Sequence, residues 1–385
     1  MSIFTLDNGR QIEKVNGLNR WDIMNDFEEY IRQGEPHKRE KGYAWQTAIG
    51  LQAVDGLKPS EYLIETARQH IEGDITIEEA KKLVDSYYQS KNVRTNIEDR
   101  TEEADKVSAR ITEILSEKTF SFSPVEYLNI HRRLFEGIFS HAGHIRDYNI
   151  TKKEWVLKGE TVFCASAGSI RDTLNFDFSQ EKSFNYQDIG LEEAVRHITT
   201  FVSGLWQIHA FGEGNTRTTA VFTIKYLRTF GFNINNDAFA NHSWYFRNAL
   251  VRANYNDIQY GVFATTEYLE RFFRNLLLKE NNELRNRNLL IGIQDDKIVQ
   301  SVKDAEKVIS KCNICTLNCT LEETAVLLYL QENPRATQKE IASRVGKSER
   351  TVKTITANLS KRGLMERKNG RRNGFWELKV VDLGS

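Results

Sequence analysis

One short segment carries side chains that do chemistry together. His209-Ala-Phe-Gly-Glu-Gly-Asn-Thr-Arg217 puts an imidazole, a carboxylate, two glycines, an Asn and a guanidinium within nine residues. Gly212, Gly214 and Asn215 let the backbone turn sharply and point successive N–H groups inward. A helix that begins just after them adds partial positive charge, so the loop is an anion cradle. Arg217 supplies a fork suited to phosphate oxygens. Glu213 brings a carboxylate into an electropositive loop, which suits a Mg²⁺ shared with the same phosphates. His209 stands at the mouth, where an imidazole takes a proton from an incoming hydroxyl near neutral pH. A lone His at a helix end is usually a cap, and Gly-rich turns between helices are common. The combination is a tighter coincidence and describes phosphoryl-type transfer without a covalent enzyme intermediate.

Two helices must hold this loop. In LEEAVRHITTFVSGLWQIH the apolar stripe Leu191, Ala194, Val195, Ile198, Val202, Leu205, Ile208 predicts a helix ending at His209. TRTTAVFTIKYLRTF predicts a second, stopped by Gly231. Upstream, NITKKEWVLKGETVFCAS (149–166) alternates β-branched and aromatic residues about Lys158-Gly159, a hairpin inside an otherwise helical region. Residues 1–95 read as a small helical bundle. Its pieces are the stripe Ala44, Thr47, Ala48, Leu51, Val54, a helix from Ser60, and a third starting at Thr76, with Glu79 placed for a capping box. Residues 281–320 read as a polar, partly helical linker. Residues 321–379 give three short helices, a strand, a Gly-rich turn and a strand, the order of a winged helix-turn-helix.

Composition bounds the rest. A chain of 385 residues with 40% hydrophobic residues is long enough for two or three domains and apolar enough to bury cores. The four prolines and the long helical periodicities argue against an all-β protein. No stretch approaches a transmembrane span and the start lacks the order of a signal peptide, so a cytoplasmic location without membrane association is expected. Lys+Arg and Asp+Glu are both 53, which conceals a local excess. From 334 to 379 there are 13 basic residues against four acidic, a local charge of +9. Arg350, Lys353, Thr354 and Asn358 could face a major groove, and Lys368, Arg371 and Arg372 could reach phosphates, so DNA is a possible partner. A protein-docking winged helix with a solvated basic face is the alternative. Cys312, Cys315 and Cys319 lack a fourth ligand and read as free thiols rather than a zinc site, with Cys164 a small buried residue. His131, His141, His144 and His197 show no spacing that suggests ligands.

The 209–217 segment resembles the signature of Fic-domain proteins, H-x-F-x-(D/E)-G-N-G-R-x-x-R. Ala142-Gly143-His-Ile-Arg146 resembles the family's Gly-x-x-Arg before its flap, and the hairpin at 149–166 falls where the flap belongs. The resemblance covers about 190 residues. It implies a mainly α, Fic-type helical bundle with a β-hairpin flap, followed here by the winged helix. It also implies a protein adenylyltransferase moving AMP from ATP to a hydroxyl of a target protein aligned along the flap. By resemblance His209 is the base, Glu213 the metal ligand, Gly212, Gly214, Asn215, Thr216 and Arg217 hold the phosphates, and Phe211 anchors the loop. Thr216 replaces the motif's third Gly and Ala220 its second Arg. Leu51–Gly56 falls where the family carries an inhibitory helix pattern, with Asp55 in place of Glu. The expected organisation is a regulatory antitoxin-like region at 1–95, the Fic catalytic domain at 96–285, a linker at 286–320 and the winged helix at 321–385. Two alternatives remain open: a Fic-fold transferase using another phosphate donor, and a non-catalytic, nucleotide-sensing DNA-binding regulator.

Overall fold

The computed structural model describes residues 3–5, 11–13, 27–90, 96–232, 234, 238–292, 319–368 and 374–379. It divides into two compact units, Met1–Lys118 with Asn235–Ser243, and Thr119–Ile234 with Trp244–Ser385. The protein is mainly α, as its periodicities predict. Among the described residues no helix is long and apolar enough to cross a membrane.

The first unit opens on strands β1 (Ile3–Thr5) and β2 (Gln11–Glu13), paired antiparallel with Phe4 opposite Ile12. This corrects the helical reading of 1–95, because strands of three residues are too short to raise a period-two pattern above their surroundings. Helices α1 (Glu28–Gln33), α2 (Pro36–Leu51), α3 (Glu61–Glu72), α4 (Ile77–Gln89) and α5 (Asn96–Ser116) follow. The expected stripe of α2 is buried throughout, with Ala48 and Leu51 at 0% exposure. A 3₁₀ turn Gln52–Asp55 and Gly56 at φ 68° end it. Thr76 and Glu79 form the expected reciprocal cap of α4. Asp105, fully buried, is held by Ser60 and by the Tyr88 hydroxyl at 2.6 Å, which offsets the desolvation of its carboxylate.

The second unit contains α6 (Pro124–Phe135), α7 (Ile170–Ser183), α8 (Leu191–Ile208), α9 (Asn215–Thr229), the later part of α10 (Ala238–Ala253) and α11 (Glu267–Leu278). Its core is aromatic: Phe122, Phe178, Phe201, Phe222 and Tyr226 lie ring to ring across α7, α8 and α9. All seven stripe residues of α8 are buried.

The segment at 149–166 differs from a regular hairpin. It reverses at Lys158 (φ 53°) and Gly159 (φ 97°), as that pair predicts, but its ladder is a single bridge, Lys153 to Thr161. Between them the chain coils into a 3₁₀ turn, Trp155–Leu157. Val156 and Leu157 are both fully buried, which no strand alternation allows, and the carbonyl of Glu154 accepts from the N–H groups of Leu157 and Gly159. Residues 286–292, in the stretch read as linker, pack on this turn, and Ile291 N–H donates to Val156 O at 2.9 Å.

The winged helix consists of α12 (Leu321–Glu332), α13 (Gln338–Val345), α14 (Glu349–Lys361) and strands β3 (Met365–Lys368) and β4 (Phe375–Leu378). Thr320 with Glu323 and Thr337 with Glu340 form capping boxes, and Ser348 caps α14 as expected. Arg350, Lys353, Thr354 and Asn358 are all exposed on α14. Arg371, Arg372, Cys312 and Cys315 lie outside the described residues, whereas Cys319 is buried in the winged-helix core and Cys164 is half-buried.

Gly50 of α2 shows how tightly the first unit is packed. A methyl group there would fall 2.4 Å from the Ala240 carbonyl oxygen, a backbone atom that cannot swing away. Gly50→Val is expected to destabilise this unit by about 1–3 kcal/mol through overpacking. Urea unfolding followed at Trp45, buried in the same unit, should show the earlier transition, and an unchanged midpoint would contradict the packing.

Candidate active site

The 209–217 loop joins α8 to α9, and of its residues only Glu213 is exposed. It is braced from within. Asn215 accepts from Phe211 N–H at 3.0 Å and donates to Phe211 O at 2.7 Å, so its amide closes the loop on itself. Gly214 stands at φ 76° with the Phe135 ring so close that a methyl group would fall 2.4 Å from it, and no other residue type fits there. Thr216 accepts from the Trp206 indole at 3.0 Å and keeps its own hydroxyl hydrogen to give. Arg217 is 1% exposed and lies over the Phe135 ring, 4.8 Å from its centre. The residues expected to hold phosphate are therefore together in one loop, with the Asn215 side chain engaged in shaping it.

His209 ends α8 in the left-handed region at φ 48°, ψ 60°, which costs a non-glycine residue roughly 1 kcal/mol. Arg146 holds it there. The Arg146 guanidinium is 4% exposed and donates to four backbone carbonyls, those of His209 (2.7 Å), Tyr148 (2.6 Å), Ile208 and Ala165. The His209 Nδ1 lies 3.0 Å from Trp206 O. A carbonyl can only accept, so Nδ1 carries the hydrogen and Nε2 presents its lone pair. Burial, reinforced by Lys152, pushes the imidazole down to about 3 and keeps it neutral at physiological pH.

A second histidine fastens the other side of the loop. His131, fully buried, accepts from Gly143 N–H at 2.8 Å through Nδ1 and so donates through Nε2 to Glu213 O at 3.0 Å. Its ring stacks on Phe211 with centroids 3.6 Å apart. Sequence reasoning misses this role, because the partners lie 12 and 82 residues away and no spacing marks them.

Residues 121–227 match the Fic/DOC family, and residues 323–364 match a winged helix-turn-helix DNA-binding family. The chain carries a Fic domain followed by a winged helix. Among solved structures, a Fic family protein from Desulfovibrio desulfuricans G20 is 13% identical over 97% of this chain and 100% of its own, with a TM-score of 0.38. No curated protein matches.

Within the Fic domain, Glu213 pairs with Lys152 of the flap at 2.9 Å, a partly exposed contact of small net value. Glu154 is buried and ion-paired with Arg247 at 2.7 Å, which ties the flap to α10 although burial pushes the carboxyl up. No cluster of three His, Cys, Asp or Glu able to hold a metal occurs among the described residues. One accessible carboxylate nevertheless suits Mg²⁺, which keeps several waters and takes one or two carboxylates together with substrate phosphates. Ala220 is 0% exposed, so the position of the motif's second Arg is filled by packing.

The two imidazoles set a pH dependence. Burial holds both His131 and His209 near 3, against 6.5 for a free imidazole. The unfolded chain therefore takes up protons below pH 6.5 that the folded chain refuses, so these groups contribute full stability above 6.5 and lose it as pH falls toward 3. An NMR titration of the histidine rings should find both still neutral at pH 5. Titration of either near 6.5 would contradict their burial.

Proposed function

We propose that this protein is a protein adenylyltransferase that moves AMP from ATP to a side-chain hydroxyl of a target protein docked along residues 149–166. The observation that carries the reading is the tautomer of His209. With Nδ1 fixed on Trp206 O, Nε2 is a neutral base in a backbone frame that does not yield. In the reaction the target hydroxyl oxygen bonds to the α-phosphorus, the bond from that phosphorus to the oxygen bridging to the β-phosphate breaks, and pyrophosphate leaves. The hydroxyl proton passes to His209 Nε2. Gly212, Gly214 and the start of α9 provide backbone N–H groups for phosphate oxygens, and Arg217 and Thr216 support that surface. Glu213 would hold Mg²⁺, which supplies charge neutralisation on the phosphates when bound. Binding it requires Glu213 to leave Lys152.

A second reading follows from Ala220. Without an Arg at that position the distal phosphate has one charged partner fewer, which favours a Fic transferase with a different phosphate-containing donor. The winged helix is read as a DNA-binding module, since its exposed basic face lies on the helix that enters a major groove in such domains. Together these readings imply a cytoplasmic protein.

Two outcomes test the proposal. His209→Ala should lower transfer of AMP at least a hundredfold while ATP affinity by calorimetry changes little, because the base acts on the target and not on the donor. Full activity in that variant would remove His209 from the mechanism. Replacing Arg350 and Lys353 by Ala in the full chain should weaken DNA binding and flatten its salt dependence by roughly one unit of slope for each phosphate that is no longer neutralised. Unchanged binding would favour the protein-docking face.

A further inference from the structure

His141 is a polar group that the reaction scheme above leaves unused. It stands between α6 and Arg146, its ring stacked parallel to Phe139 at 5.3 Å. Its Nε2 is buried and has no hydrogen-bond partner among the described residues. A buried polar atom left unsatisfied costs about 1–3 kcal/mol, so its retention calls for a partner that arrives from outside. The atom is aimed at the motif loop. A methyl group at Gly212 would fall 3.2 Å from His141 Nε2 and 2.6 Å from the Tyr148 hydroxyl. Both polar groups thus lie close to Gly212, a loop residue without a side chain, between His209 and the N-terminus of α9.

We infer that His141 Nε2 and the Tyr148 hydroxyl are contacts for a phosphate oxygen of the bound donor. The inference rests on the nucleotidyl-transfer reading of the loop. The ligand is an anion because the Tyr148 hydroxyl and the backbone N–H groups that open any helix are donors, and His141 Nε2 joins them in the tautomer that places the ring hydrogen there. Arg217 sits against Phe135 and Ala220 carries no charge, so His141 and Tyr148 supply hydrogen bonds that the missing Arg does not. Gly212 serves the same end, since a side chain there would collide with both groups.

The test is calorimetric, on the full chain, with inorganic tripolyphosphate as the probe and ATP in parallel. His141→Ala should weaken tripolyphosphate binding about tenfold. Tyr148→Phe, which changes an exposed residue and leaves packing intact, should weaken it about threefold. His141→Gln, whose amide can still donate, should recover at least half of the loss, a rescue that a merely structural role for the ring would not give. Wild-type affinity in Tyr148→Phe together with no recovery in His141→Gln would overturn the inference while leaving the donor reading intact. Failure of the unmodified protein to bind either tripolyphosphate or ATP would overturn the donor reading itself, and this inference with it.

Discussion

The site depends on one buried guanidinium. Among the described residues Arg146 has no carboxylate as a hydrogen-bond partner; it is satisfied by carbonyl oxygens at the end of α8 and at the two ends of the flap. The last carbonyls of a helix are its unpaired, partially negative groups, so the dipole favours a cation there and offsets the desolvation that disfavours it elsewhere in a core. Only a planar fork with five donors can reach four carbonyls at once; a Lys ammonium, with three, would leave some of them buried and unpaired. Burial lowers the basicity of Arg146 from its ordinary value, yet a guanidinium remains charged throughout the physiological range. Through this contact the position of His209 and the position of the flap become one variable.

The remaining ties act in the same sense. His131 fixes the carbonyl of Glu213, Asn215 closes the loop on Phe211, and Glu154 with Arg247 fastens the flap turn to α10. What stays adjustable is the Glu213 carboxylate and the Lys152 ammonium facing it, both partly exposed. A rigid base beside a movable acid suits a reaction in which the proton acceptor must be in place beforehand while the metal and donor come and go.

Much of this is legible in the sequence wherever the controlling contacts are local. The α8 stripe, the caps at Thr76 and Ser348, the turn at Lys158-Gly159 and the helix order of the winged helix all follow from patterns of two to four residues. The nine-residue motif is legible because its chemistry is contiguous. Contacts that join distant segments are not. His131 reads as an ordinary helix residue, since its partners Gly143 and Glu213 lie far along the chain. The flap reads as a ladder because propensity alone does not see the surfaces that bury Val156 and Leu157. The strands Ile3–Thr5 and Gln11–Glu13 escape notice because three residues hold too little pattern.

We propose that this frame transfers AMP from ATP, through its α-phosphorus, to a protein hydroxyl. The most direct measurement incubates the full-length protein with cell lysate and ATP carrying radioactive phosphorus at either the α or the γ position, in parallel with His209→Ala. The account predicts protein labelling from the α position alone, lost in the variant. Labelling from the γ position, or α labelling that survives the loss of His209, would contradict it.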